Sequence, residues 1–515
     1  MVKDITKYLV ICFNIIFTFF LSILTYSAIF TNNATCYSFS MSRQIFYVIV
    51  GVVVLLLFYL ILHKKIEELS NKAIYIIIAT TMFILVIFQI RIILQTYTPI
   101  GWDVGYIIGG ASTTINVDNT EYSGYFTLYP NNLFLTFVFK AIYLCINLFG
   151  TFSNIWLMAS LVNTVAIDIS LLLVFYIVKK MIHNKYALYA YLLCIVTYGT
   201  FAWMIVPYSD TMALPLTTGV FALYLFKRSN NKKVINWICN IGMGILLWIN
   251  YMIKPTAIII FIAIYLVELA FGVINSKLKN TLKSVGMSLI IMIVIYSGMT
   301  IAWNRFIEIQ PYFKIEQEKS VPMQHFMMMG LTQSGEFYGM WNEEDINCTL
   351  SYATTEERKV ANVIKIKEKL KDYGAFGYLD YVMKKARWIT SEGTFFWFGE
   401  GNFANSREID NSLFKNLWYP EGKYYDMYQY ISQTVWIWIL IMCSIPLYFM
   451  FKKKSNQYDY WHSIIRCTLM GIILFILLFE GRSRYLILYL PFFCILAIMG
   501  VYDLKRYLSD IKNSI

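Results

Sequence analysis

The stretch AIYIIIATTMFILVIFQIRIILQ, residues 73–95, decides the fold class. A single charged side chain, Arg91, interrupts it. A helix of about 20 apolar residues crosses the ~30 Å hydrocarbon core of a bilayer, and this run is long enough to do so. Directly after it comes GWDVGYIIGG, residues 101–110, with one carboxylate, Asp103, among glycines and aromatic rings. The acid therefore stands at the mouth of a membrane helix.

Outward from this stretch the pattern repeats. The chain of 515 residues is 58% hydrophobic and only 14% charged, where a soluble domain carries ~25% charged residues. Apolar runs recur near 7–30, 44–63, 73–95, 156–178, 186–204, 211–227, 234–253, 255–274, 284–304, 431–451, 462–479 and 486–503. A membrane barrel would present ~10-residue segments of alternating polarity, and the chain has none. The fold class is all-α polytopic membrane protein. The N-terminal run has no small-residue cleavage site after it and reads as a retained first span. Seven of the nine cysteines, Cys12, Cys145, Cys194, Cys239, Cys443, Cys467 and Cys494, fall inside apolar runs as small hydrophobes. Cys36 and Cys348 remain as the one pair placed to form a bridge.

The net charge of +12 does not point to nucleic acid, because the lysines sit in short clusters between apolar runs. Lys64–Lys65–Lys72, Lys179–Lys180–Lys185, Lys227–Arg228–Lys232–Lys233, Lys277–Lys279–Lys283, Lys452–Lys453–Lys454 and Lys505–Arg506 all fall on one side, the cytoplasmic side, if the chain has twelve spans and both termini inside. The further apolar stretch 132–150 would break that pattern as a thirteenth span and carries Lys140 mid-segment, costly in lipid. It is expected as a re-entrant or interfacial helix on the outer side. The chain then divides into three N-terminal spans (1–95), a first outward loop (96–155), a transmembrane core (156–304), a long outward loop (305–430) and C-terminal spans (431–515). Within the long loop, 354–374 is predicted to be a surface helix opened by a Thr354/Glu357 capping box, with Val360, Val363, Ile364 and Leu370 as its apolar stripe; 375–390 is predicted to be a second helix.

Charged residues on the outward side carry the functional signal. Asp103 has no Lys or Arg between 96 and 130 to pair with. Asp210 follows in VPYSDTMALP, in a short outward turn. Lys254 ends the seventh span, and EGRSR, 480–484, places Glu480, Arg482 and Arg484 between the last two. Three cations on the outer side run against the usual bias and suit an anionic ligand, since Arg grips phosphate bidentately and Lys does so as a point charge. Such a set suits sugar transfer from a lipid phosphate: the acid takes a proton from an acceptor hydroxyl, and the cations hold the charge developing on the leaving phosphate. His63, His183 and His462 fall on the cytoplasmic side, so no histidine cluster gathers on the outer face; a carboxylate-held divalent metal is left open as a cofactor.

The ordered set of Asp103, Tyr129–Pro130, Ser209–Asp210, Lys254–Pro255 and Arg484–Tyr485…Pro491 resembles the GT-C membrane glycosyltransferases. The resemblance runs over roughly 70–500 and is closest to the protein O-mannosyltransferase and aminoarabinose-transferase branch, family 39-like, in its Gram-positive form. It implies a GT-C fold, a polyprenyl-phosphate sugar donor and action at the outer face of the cell membrane. It implies Asp103 and Asp210 as the catalytic pair and Lys254, Arg482, Arg484 and Tyr485 on the donor phosphate. Trp102, Tyr129, Trp388, Glu392 and Glu480 are the candidates to line the donor and acceptor groove, Trp388 and Glu392 (or, in its place, Glu400) from the aromatic stretch around SEGTFFWFGEGNF, 391–403. The sequence departs from the family where Val104 follows Asp103 in place of a second acid, where Pro130–Asn131–Asn132 replaces Pro-Pro-Leu, and in two extra N-terminal spans.

The expected function is an enzyme moving one sugar to a cell-envelope acceptor, with Val104 favouring teichoic acid or wall polysaccharide over protein. A cytoplasmic synthase for the lipid-linked sugar and a flippase are the pathway partners this chemistry needs. A polysaccharide polymerase or ligase and a protein O-glycosyltransferase are the alternatives of the same class. A lipid-linked sugar flippase is the alternative of another class, but transporters place paired broken helices and charges at the midplane.

Overall fold

The computed structural model describes residues 2–30, 41–115, 119–150, 154–230, 232–400, 413–419, 421–450 and 456–512. Cys36, Lys452–Lys454 and Gly401–Phe403 lie outside the described residues. Three long helices open the chain: α1 (Val2–Phe30), α2 (Met41–Glu68) and α3 (Asn71–Thr96). Shorter helices follow, α4 (Asp103–Ser112), α5 (Thr120–Leu128) and α6 (Leu133–Asn147). The central set is α7 (Ile155–Met181), α8 (Asn184–Cys194), α9 (Ser209–Met212), α10 (Leu214–Arg228), α11 (Lys233–Ile253), α12 (Ile259–Ile274) and α13 (Leu278–Ile309). The long loop holds α14 (Met323–Met329), a two-stranded antiparallel ribbon of β1 (Gln333–Ser334) and β2 (Phe337–Tyr338), α15 (Glu343–Leu350), α16 (Thr355–Thr390), α17 (Trp397–Glu400) and α18 (Leu413–Trp418). The chain closes with α19 (Tyr425–Met450), α20 (Asn456–Leu478) and α21 (Leu490–Lys512).

Among the described residues eight helices are long and apolar enough to cross a membrane. Only an internally hydrogen-bonded chain is stable in hydrocarbon, so such runs fold as helices. Helix α21 is the most enclosed, with 89% of its apolar window buried; α13 is the most peripheral, with 17% buried. The exposed Ile290, Ile293 and Val294 of α13 and Phe83 and Ile84 of α3 form the apolar outer surface that lipid would cover.

One boundary differs from the sequence expectation. The run 186–204 is not one helix: α8 ends at Cys194, a wide turn covers Ile195–Gly199, and a 3-10 turn covers Ala202–Ile205. Side chains from neighbouring helices take up the freed carbonyls. Gln89 of α3 donates to Gly199 O (3.0 Å), and Asn163 of α7 donates to Met204 O (2.9 Å) and Val206 O (3.1 Å), which is how irregular backbone is tolerated inside a membrane protein. The unwound segment brings Tyr208 and Asp210 to the end of the bundle. As expected, 354–390 forms two helical segments, the halves of α16, which meet at a kink at Gly374 (φ 59°), a left-handed conformation glycine adopts at little cost. Its capping box forms, with Thr354 accepting from Glu357 N. Its apolar stripe does not pack inward, since Val360, Ile364 and Leu370 are exposed.

Lys140, the residue that argued against a span at 132–150, donates to Thr113 O (2.5 Å) and Ala111 O (3.4 Å) at the end of α4 and lies 4.0 Å from the Tyr312 ring. It satisfies terminal carbonyls of α4 that no helical N–H can reach.

Candidate functional site

Asp103 is the first residue of α4. An acid there faces the positive end of the helix dipole. Both its oxygens are held by phenols: Tyr125 donates to Oδ1 (2.8 Å) and Tyr208 to Oδ2 (2.9 Å). The Tyr125 hydroxyl also accepts from Asn132 Nδ2 (2.6 Å), so its proton goes to Asp103. Burial, and then the charge of Asp103, pushes both phenols far above the usual tyrosine range. They stay protonated and act as donors. Tyr106 stacks on Tyr125 at 4.0 Å with the rings nearly parallel. Tyr129 packs against Tyr125 at 5.3 Å, and burial raises its phenol to about 12. A carboxylate has about four acceptor positions; the two phenols occupy two of them, and Asp103 is partly exposed.

Beside Asp103 lies a chain of buried charges. Lys254 Nζ stands 2.6 Å from Asp210 Oδ1, and Arg484 Nη1 donates to Asp210 Oδ2 (3.4 Å). Arg484 Nε is 2.8 Å from Glu400 Oε2, Glu400 Oε1 pairs with Arg482, and Arg482 Nε reaches Glu480 Oε1 at 3.3 Å. The two sets touch through aromatic rings. The Arg484 guanidinium lies 4.6 Å from the Trp102 ring and 5.0 Å from Tyr208, while Lys254 sits 4.2 Å from Tyr485. Trp102 meets Tyr208 edge to face at 5.2 Å. Asp103, Asp210, Lys254, Arg482, Arg484, Tyr485, Trp102, Tyr129 and Glu480 therefore converge from segments hundreds of residues apart.

The charge balance differs from the sequence expectation of a cationic surplus. Lys254, Arg482 and Arg484 each face one or more of Asp210, Glu400 and Glu480, so three cations meet three acids. Burying an unpaired guanidinium costs several kcal/mol, which is why acids accompany the cations. Two of these contacts are within ion-pair distance but off hydrogen-bond alignment. Asp210 Oδ1, Glu400 Oε2 and Arg484 Nε have no hydrogen-bonded partner, nor does the indole Nε1 of Trp102. Arg484 Nε thus faces Glu400 Oε2 out of alignment, while the buried indole N–H of Trp102 has no acceptor.

Trp388 and Glu392 do not reach this group. Trp388 is buried against Phe337 and Phe396. Glu392 is 1% exposed and accepts from Thr394 N (2.9 Å), Thr394 Oγ1 (2.5 Å) and Phe396 N. Burial raises its carboxyl, against those hydrogen bonds. It holds a strap in which Phe395 (φ 56°) and Phe396 (φ 61°) are left-handed, a conformation costing about 1–3 kcal/mol at non-glycine residues. Indole N–H groups of Trp203 and Trp436 donate to Thr394 O (3.1 Å) and Thr390 O (2.8 Å) and lock the strap. Its far end carries Glu400 between the two arginines. On the other flank Lys385 donates to Gly330 O (2.7 Å), Phe479 O (2.6 Å) and Leu477 O (3.2 Å), anchoring the segment that leads to Glu480 and Arg482.

Tyr125, Tyr208 and Lys385 were not singled out by sequence; residue type offers no signal where 40 tyrosines occur. Among the described residues no three His, Cys, Asp or Glu side chains gather as metal ligands. Fold and site together define an all-α polytopic membrane protein with a buried ionic centre. A family model described as "conserved hypothetical integral membrane protein" matches residues 5–504, and the chain belongs to that family. No curated protein and no solved structure matches it.

Proposed function

We propose that the protein is a glycosyltransferase of the GT-C type, with twelve spans and both termini in the cytoplasm. It moves one sugar from a polyprenyl phosphate to a wall glycan or teichoic acid at the outer face of the cell membrane. The observation that carries the reading is the meeting of a phenol-held carboxylate, Asp103, with the buried cation Arg484 across the shared rings of Tyr208 and Trp102. A base and an anion-binding group are the two parts that transfer from a sugar phosphate requires.

Asp103 takes the proton of an acceptor hydroxyl while that oxygen bonds to the anomeric carbon. The bond from that carbon to the phosphate oxygen breaks, its electrons stay on the lipid phosphate, and one displacement inverts the anomeric centre. Arg484, Lys254 and Trp102 receive the developing charge. Because the cations are already paired, the donor phosphate enters by displacing a carboxylate, and Glu400, which bridges both arginines, is the one it replaces.

The test is made in the native host. Wall-polymer sugar composition is compared among wild type, deletion and Asp103→Asn, with membrane protein level measured in parallel. Loss of the same sugar in deletion and variant, with the protein still present, supports the transferase. Loss in the deletion alone removes Asp103 from the chemistry and favours a flippase.

A further inference from the structure

A second group of charges lies at the opposite ends of the helices that carry the site. Asp210 and Lys254 sit just before α10 and α12. Over its 16 residues α12 runs about 24 Å, at ~1.5 Å per residue, to a separate cavity. That cavity, of ≈ 250 Å³, is lined by Arg228, Glu268, Asn275, Lys277, Tyr460 and Trp461. The surrounding basic cluster Lys227, Lys232, Lys233, Lys279 and Lys283 marks this as the cytoplasmic end.

The cavity is built rather than incidental. Between α12 and α13 the chain turns tightly: Lys277 N donates to Gly272 O (2.8 Å), and Ser276 is left-handed (φ 57°). A Cβ at Gly272 would lie 2.6 Å from Thr281 Oγ1, so only glycine allows the turn to close against α12. That closure fixes Lys277 at the rim. Arg228 enters from α10, its guanidinium 4.3 Å from the Tyr460 ring and 5.8 Å from Trp461, with Nη1 donating to Tyr460 Oη (2.9 Å). Glu268 is set back, accepting from Tyr224 Oη (2.9 Å) and 3.8 Å from Arg228. Its side chain is 13% exposed against 42% for Arg228, so the guanidinium and not the acid meets the opening. Two cations against one acid leave a net positive cavity with aromatic walls at the membrane boundary.

We infer that this cavity binds a phosphate anion, with Arg228 and Lys277 as its charged donors and Tyr460 and Trp461 as its walls. Basic pockets between helices on the cytoplasmic side suit the headgroups of anionic lipids. The inference does not depend on the transferase reading, because it uses none of the residues around Asp103.

The full-length protein in detergent tests it by thermal unfolding with added phosphatidylglycerol, phosphatidylcholine or inorganic phosphate. Saturable stabilisation by phosphatidylglycerol and not by phosphatidylcholine, weakened about tenfold by Lys277→Gln, supports a lipid headgroup as the source. Stabilisation by inorganic phosphate that Lys277→Gln weakens equally, with phosphatidylglycerol no better, supports a soluble phosphate. Lys277 is exposed, so this variant keeps the fold; Arg228→Gln is the second variant and should weaken binding at least as much. Absence of saturable stabilisation by either ligand, or equal stabilisation of wild type and Lys277→Gln, overturns the inference.

Discussion

Replacing Arg484 by Gln probes the ionic centre directly. Arg484 is 4% exposed, and removal of its guanidinium leaves two cations against three acids. Breaking one partner out of a buried ion pair costs about 3–5 kcal/mol. Here Asp210 keeps Lys254 at 2.6 Å and Glu400 keeps Arg482, so the loss should fall near the lower end, about 3 kcal/mol. Glu400→Gln removes the facing charge. The double variant restores neutrality, with Lys254 and Arg482 against Asp210 and Glu480. Its cost should fall short of the sum of the singles by about 1–2 kcal/mol, as residues in one network do. The assay is a double-mutant cycle on unfolding in mixed micelles. A cost below about 1 kcal/mol for Arg484→Gln, or single costs that add to within ~0.5 kcal/mol, would refute a mutually neutralised network.

Three further outcomes are expected. Tyr208→Phe and Tyr125→Phe each delete one hydrogen bond to the Asp103 carboxylate, worth about 1.5–3 kcal/mol, and should lower sugar incorporation into the wall at least about tenfold with protein level unchanged; wild-type incorporation in both would sink the role given to the phenols. Glu392→Gln turns an amide NH₂ toward the donors of either Thr394 or Phe396, should destabilise by about 1–3 kcal/mol, and should open the strap to proteolysis between 391 and 400; an equally resistant strap would count against it. Burial pushes His325 down to about 4 from its ordinary 6.5, with the nearby Asp345 opposing and Lys369 assisting. The folded loop thus keeps the imidazole neutral while the unfolded chain protonates it, so stability falls as pH drops from 6.5 to 4, by up to about 3 kcal/mol. Asp345 does not contribute in that window, because its hydrogen bonds outweigh burial and hold it below its usual 3.8. Corrected for the slower intrinsic exchange at lower pH, hydrogen-exchange protection of residues 323–350 should fall between pH 7 and 5, and His325→Gln should abolish the fall; the same pH response in both proteins would refute it.

How much was legible follows from what each feature depends on. The stretch 73–95 became α3 because hydrocarbon leaves an apolar chain only its own backbone to bond to, and that constraint acts on sequence alone. The Thr354–Glu357 cap formed because its partners are three residues apart. The site residues Asp103, Asp210, Lys254, Arg482 and Arg484 could be singled out because a charge at the end of an apolar run costs energy and needs a reason. Other features were decided only across the bundle. Lys140 serves as the cap of α4 because α6 packs beside it. Glu400 comes between two arginines because a strained strap, held by Glu392, delivers it there. Tyr125 and Tyr208 hold Asp103 because α5 and the unwound segment after α8 end at the same place. The sequence by itself determined which segments fold as helices and where charge is out of place. Only the tertiary structure decided which charge neutralises which, since Coulomb energy depends on separation in space and not along the chain.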